Sequence, residues 1–260
     1  LGFNANMLAN EMFLDSSSLR SSVVSHAKTL GYVPTSARAS KATVDVTLNT
    51  NDTSATMPAG TVFNTTVDDV SYQFSTISDV TKSNTGNTIP FVGIDIYEGS
   101  FITTRYTVDS SDVDQRFIIT DNRADTTTLT VKVQTSSTDS SSNTFTEATD
   151  ITQVTTGSNV YFLQEVEAGL FEVYFGDGII GTALSDDNIV ILTYVVSNKT
   201  AANGASIFTN SAAIASVTDI AVATSATSTA GSEPESISSI KYNAPLDFAS
   251  QGRCVTSEDY

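Results

Sequence analysis

The sequence predicts a mainly β protein with helical ends (α+β), its short antiparallel strands arranged in one or two β modules. Three observations point there. The 260 residues include 35 Ser and 39 Thr. Thr favours strands because its β-branch fits a pleated surface, and Ser closes turns through local side-chain to backbone bonds. The spacing of apolar residues changes from three or four to two near residue 42, and clusters of Asn, Asp, Gly and Ser punctuate the chain from there on.

The elements follow in order. Phe3, Met7, Leu8, Met12 and Phe13 have the spacing of a first helix with an apolar side. Leu19, Val23, Ala27 and Leu30, with Val24 beside them, predict a second, N-capped by one of Ser16, Ser17 and Ser18 and stopped by a left-handed Gly31 before Pro34. Ala42, Val44, Val46 and Leu48 alternate with polar residues and begin the strands. Pro58-Ala59-Gly60-Thr61 turns the chain into a second strand, and Val70, Tyr72, Phe74 and Thr76 form a third. Further strands centre on 92–96, 101–108, 117–120, 129–133, 160–163, 171–175, 189–196 and 214–222, about eleven in all, with Thr135 to Asn143 as a connection. Gly176-Asp177-Gly178 is expected as a tight hairpin turn between two apolar strands.

Ala223 to Gly231 is small and polar, the composition of a linker. Ser232-Glu233-Pro234-Glu235 then has a capping-box pattern with proline in the first turn, so a helix carrying Ile237 and Ile240 is predicted to about Asn243, ended by Pro245. Thr256 to Asp259 has the letters of another helix start. The expected organisation is therefore a helical segment over 1–40, a β-rich region over 41–222, and a linker and helix over 223–260 leading into an absent C-terminal domain. The opening Leu1-Gly2-Phe3 has neither an initiator Met nor a basic leader, which suggests an internal piece of a longer chain.

Charge narrows the partners. Twelve Lys and Arg stand against 29 Asp and Glu, a net charge of -17, so nucleic acid and anionic membrane surfaces are not expected as partners. No stretch is apolar for the roughly 18 residues a bilayer span needs. Residues 1–42 nevertheless hold Arg20, Lys28, Arg38 and Lys41 against Glu11 and Asp15. That segment is either a helical part with its own solvated faces or a docking segment for an acidic neighbour.

Catalytic chemistry finds little to use. One His (His26), one Cys (Cys254) and no Trp leave no intrachain disulfide and no Cys/His zinc site. His26 sits among Val23, Val24, Ala27 and Leu30, a packing or surface position, and no catalytic, metal or cofactor-binding residue is assigned. The loops Asp109 to Asp114 and Asp121 to Asp125 are oxygen-rich, as calcium prefers, but lack the glycine and distal Glu of a helical calcium loop and are expected as solvated acidic turns. Gly176 to Gly181 lacks the Lys of a phosphate cradle.

Several stretches occur together in an order that carries a resemblance. They are Leu19-Arg20-Ser21-Ser22-Val23-Val24, Leu30-Gly31-Tyr32-Val33-Pro34-Thr35-Ser36, Pro58-Ala59-Gly60-Thr61, Tyr174-Phe175-Gly176-Asp177-Gly178, Ala202-Asn203-Gly204-Ala205 and Gln251 to Tyr260. The chain resembles the baseplate J-like wedge proteins of contractile-tailed, T-even-like bacteriophages. The resemblance implies a non-enzymatic virion component of the tail baseplate, assembled in the host cytoplasm. Its partners would be other wedge proteins and a second copy of itself, with neighbouring wedges closing a ring around the central hub that changes conformation as the sheath contracts. Leu19, Val23, Ala27, Leu30, Ile237 and Ile240 are then the expected packing or interface face, completed by partner helices, and charge reversal at Val23 is expected to weaken assembly or folding. The competing class is an acidic, Thr-rich β adhesin or tail-fibre-like module that binds carbohydrate or calcium. A depolymerase would need two carboxylates converging in a groove.

Overall fold

The computed structural model describes residues 8–112, 114–149 and 151–250. The alternation over 41–49 produces β1 (Lys41–Asn49), with Ala42, Val44, Val46 and Leu48 all buried. The strands that follow are β2 (Ser54–Met57), β3 (Val62–Val67), β4 (Val70–Ser75), β5 (Val80–Ser83), β6 (Thr88–Glu98), β7 (Ser100–Thr107), β8 (Phe117–Ile119), β9 (Ala124–Gln134), β10 (Ser142–Glu147), β11 (Val160–Glu165), β12 (Phe171–Phe175), β13 (Ile189–Val196) and β14 (Ile220–Thr229). Among the described residues the two longest helices are α1 (Arg20–Thr29) and α2 (Ile237–Ser250).

The strands divide between a five-stranded sheet, β14-β1-β6-β4-β3, a seven-stranded sheet, β7-β13-β9-β10-β11-β12-β8, and a β2–β5 ribbon. Each large sheet has its own core, one around Phe63, Phe74, Phe91 and Ile96, the other around Val131, Tyr161, Leu192 and Tyr194. The second sheet is built wholly from residues 100–196 and so interrupts the first between β6 and β14. The crossing point is Gly99, with φ +124; a Cβ there would stand 2.1 Å from the Val196 carbonyl oxygen, so only glycine fits. The edge strands of the second sheet approach each other. The Tyr106 hydroxyl donates to the Ile118 carbonyl and the Tyr106 and Phe117 rings meet edge to face at 5.7 Å, which curls the sheet toward a barrel and protects its edges.

Several expectations are corrected. Ala223–Gly231 is not a linker: β14 runs through it, paired antiparallel with β1. Beyond Val222 its residues are Ala, Thr and Ser, exposed or half-buried apart from Ser228, so no alternation of apolar residues marks that part, and its pairing with β1 holds it. Of the predicted strand over 214–222, only 220–222 belong to β14; Ile214 and Val217 instead close a tight turn. β2, β5 and β10 were not expected; β10, with only Phe145 buried, starts at the end of the predicted connection, Ser142 and Asn143, and runs on past it. The β10–β11 pairing is parallel, an exception to the antiparallel expectation. Gly176-Asp177-Gly178 does form a turn, its Asp177 carboxylate accepting the Ile179 and Ile180 amides, but the flanking strands β12 and β13 pair with other strands and make no hairpin.

The helices differ in their ends. α1 takes Leu19 rather than a serine as N-cap; the Glu11 carboxylate reaches over instead, accepting the Ser18 amide at 2.8 Å and the Ser18 hydroxyl at 2.7 Å. Gly31 does take the left-handed position, φ +82, and its amide and that of Tyr32 return to the Lys28 and Ala27 carbonyls. α2 begins four residues later than predicted, because Ser232 is held in a bridge with Arg38. Ser236 caps it through the Ser239 amide. Pro245 lies inside the helix, where its missing N–H removes one rung without ending it. Of the first predicted helix, residues 8–11 are helical. The rest of its start, the predicted helix at 256–259 and Cys254 lie outside the described residues.

Candidate assembly interface

The residues expected to form one face separate into two sets. Val23, Ala27 and Ile240 are fully buried in a single cluster with Val24 and Ala244, and Leu30 and Ile237 pack partly buried against it. α1 and α2 therefore close each other's seam within the chain. This corrects the expectation that partner helices complete it: a helix at each end of the sequence is brought to one pole by the sheets between them, so each supplies the other's cover. Leu19 is left outside, 46% exposed.

The pole is fastened by polar contacts that the sequence reading assigned no role. The Arg20 guanidinium grips Glu165 with two bonds, 2.7 and 2.8 Å, and gives a third to the Glu235 carbonyl, tying α1 to β11 and to the approach of α2. The Glu235 carboxylate accepts the Tyr32 hydroxyl, the Thr35 amide, the Ser239 hydroxyl and the Asn243 side-chain amide. Burial pushes this carboxyl up, but the combined donors carry it below its ordinary range. Burial, helped by Glu235, pushes the Tyr32 hydroxyl up to about 12. His26 donates from Nε2 to the Glu11 carbonyl, holding the preceding turn, and the Lys241 ammonium donates to the Asp15 carbonyl. Among the basic residues of the first 42, Arg20 and Lys41 are matched by Glu165 and Asp95 of the same chain.

Most of the described stretches that carried the resemblance turn out to be joints. Tyr32 and Thr35 bind Glu235, and Ser36 pairs with Thr126 of β9. In Ala202-Asn203-Gly204-Ala205 the Asn203 side chain bridges Ser40 and Gly231, and the amides of Gly204 and Ala205 bond to Ser228. Gly231 is squeezed there: a Cβ would lie 2.2 Å from the Lys199 carbonyl oxygen. In the proline turn, the Ala59 amide donates to Asp79 and the Thr61 hydroxyl to the Pro58 carbonyl. Signals for Arg20, Tyr32 and Asn203 were thus present in those stretches, whereas nothing local marks Glu165.

Outside the sealed seam, the pole leaves large apolar side chains in solvent. Leu8, Met12, Phe13 and Leu19 project from the segment that precedes α1, and Tyr242, Leu246 and Phe248 from α2. On a chain so rich in hydroxyl and acidic groups, this concentration is the feature that asks for a protein partner. The acidic loops, by contrast, close on themselves. Asp109 accepts the amide and hydroxyl of Ser111, Asp112 the amide of Asp114, and Asp121 pairs with Arg123. Among the described residues no group of three or more His, Cys, Asp or Glu is placed to hold a metal ion, and no helix is long and apolar enough to cross a membrane.

No family model matches the chain. The chain is similar to the baseplate wedge protein gp6 of Enterobacteria phage T4, at 26% identity over 284 aligned positions that cover 98% of this chain and 42% of that protein. It thus spans less than half the length of the curated relative it matches, and is distantly homologous to a baseplate wedge component.

Proposed function

We propose that this chain is a structural, non-enzymatic part of a phage tail baseplate wedge. In this reading it joins other wedge proteins and a second copy of itself, neighbouring wedges close a ring, and the ring passes on conformational change as the sheath contracts. The location is the virion tail baseplate, assembled in the host cytoplasm. The distant similarity supports the class, and the exposed apolar pole is the observation that carries the physical argument. Leu8, Met12, Phe13, Leu19, Tyr242, Leu246 and Phe248 form the surface that partner helices cover, in place of the seam residues Val23, Ala27 and Ile240. Each large apolar side chain fully buried by a partner contributes about 1.5–3 kcal/mol, so a few of them hold a stable contact.

Co-expression with the remaining tail proteins of the source phage tests this. Leu246→Glu combined with Phe248→Glu is expected to leave the melting of the isolated chain within a few degrees and to abolish co-purification with those proteins. Wild-type recovery of the complex by the double variant, at unchanged yield, would rule the pole out as the assembly surface.

A further inference from the structure

A groove of about 860 Å³ runs along β4 where the two sheets part, walled by Gln73, Ser100, Arg123, Asn198 and Lys199. One side of it is an open strand edge. Val67 and Val70 close a two-residue hairpin, so Val70, Tyr72 and Phe74 turn their backbone groups to β3, and Ser71, Gln73 and Ser75 turn theirs the other way. Ser75 lies opposite Tyr97 of β6, and the Gln73 carbonyl accepts the Gly99 amide at 2.9 Å. Among the described residues Ser71 has no strand beside it on this side, because β6 ends at Glu98 and the chain leaves for the second sheet at Gly99. Its amide and carbonyl face the groove.

The charges around this edge specify what fits. Arg123 is matched by Asp121 and Lys199 by Glu233, so the rim is neutralised. The buried Glu98 carboxylate is satisfied by the Asn198 amide and side chain, both at 2.8 Å. Asp68 and Asp69, at the exposed hairpin tip beyond Val70, have no hydrogen bond or ion pair among the described residues, and both hold left-handed φ, 48 and 62.

We infer that this groove takes an extended, uncharged polar segment of a partner wedge protein as a strand added beside β4, continuing the line of β6, with a Lys or Arg at its end over Asp68 and Asp69. Backbone bonds to Ser71 supply the pairing, and the aspartates set direction. The inference rests on the assembly reading above for the source of the partner.

The test is amide hydrogen exchange on the free chain and on the complex co-purified from co-expressed tail proteins. The Ser71 amide is expected to exchange at least about tenfold more slowly in the complex, while those of Val70 and Tyr72, already bonded to β3, are expected to change little. Ser71→Pro removes a donor that the isolated fold does not use, and is expected to weaken assembly about tenfold at unchanged melting. Asp68→Asn with Asp69→Asn keeps residues that tolerate left-handed φ. That pair is expected to weaken assembly severalfold and to flatten its salt dependence. A complex in which the Ser71 amide exchanges at the free-chain rate overturns the groove inference and leaves the assembly reading standing. Failure of any tail protein to co-purify overturns both.

Discussion

Replacing Arg20 by alanine tests what fastens the helical pole. The side chain of Glu165 is 1% exposed, while that of Arg20 is 29% exposed. Stripping one partner from a buried pair costs about 3–5 kcal/mol, because the remaining charge is left without compensation. Arg20 is partly open to solvent, so water can enter where the guanidinium was, and the lower end, about 3 kcal/mol, applies. At about 2–4 °C per kcal/mol for a chain of this size, the melting temperature should fall by about 6–12 °C. Glu165→Gln leaves the cation, not the buried anion, unmatched, and should cost only about 1 kcal/mol. The Arg20→Ala/Glu165→Gln double variant should then be more stable than Arg20→Ala alone, since the uncompensated buried charge is gone. Urea unfolding of all four proteins measures the cycle. An Arg20→Ala chain within about 0.5 kcal/mol of wild type, or strictly additive changes, would refute the claim that this pair holds α1 to the second sheet.

Three further outcomes follow from the same structure. Val23→Asp places a carboxylate at a fully buried site facing α2, and should unfold the pole at a cost of several kcal/mol, seen as lost helical circular dichroism before any assembly step. Gly231→Ala should destabilise by about 2 kcal/mol or more through its contact with the Lys199 carbonyl, whereas Gly204→Ala, with open space around it, should cost only the roughly 1 kcal/mol of its left-handed φ; denaturant midpoints separate the two. The Glu11 carboxyl is held down to about 2 by the Ser18 hydroxyl and amide. A depressed carboxyl contributes stability above its unfolded value and loses it as pH falls through the folded one, so the protection of the Ser18 amide, its exchange rate relative to the intrinsic rate at each pH, should fall between pH about 4.5 and about 2 in wild type and be low and independent of pH over that range in Glu11→Gln.

Much of this molecule was legible locally. The alternation in β1, the left-handed Gly31 and the turn at Pro58-Ala59-Gly60-Thr61 each follow from steric preferences of a few neighbouring residues, and they appear where those preferences put them. The apolar stripe of α1 was also visible, as was the acidic, hydroxyl-rich composition. What covers the stripe was not visible, because the answer lies more than two hundred residues away in α2. Most of β14 escaped for a related reason: beyond Val222 it carries only small and polar residues on both faces, and only the backbone of β1 reveals it.

The sequence by itself determined the local conformations and the need for a β-rich core, since propensity and burial period act over a few residues. Only the tertiary structure decided which surfaces remain for partners. It nested one sheet inside the other at Gly99, brought α1 and α2 to one pole through Arg20, Glu165 and Glu235, and left the strand edge at Ser71 open. Those outcomes depend on pairings between distant segments, whose energies no single stretch of sequence contains.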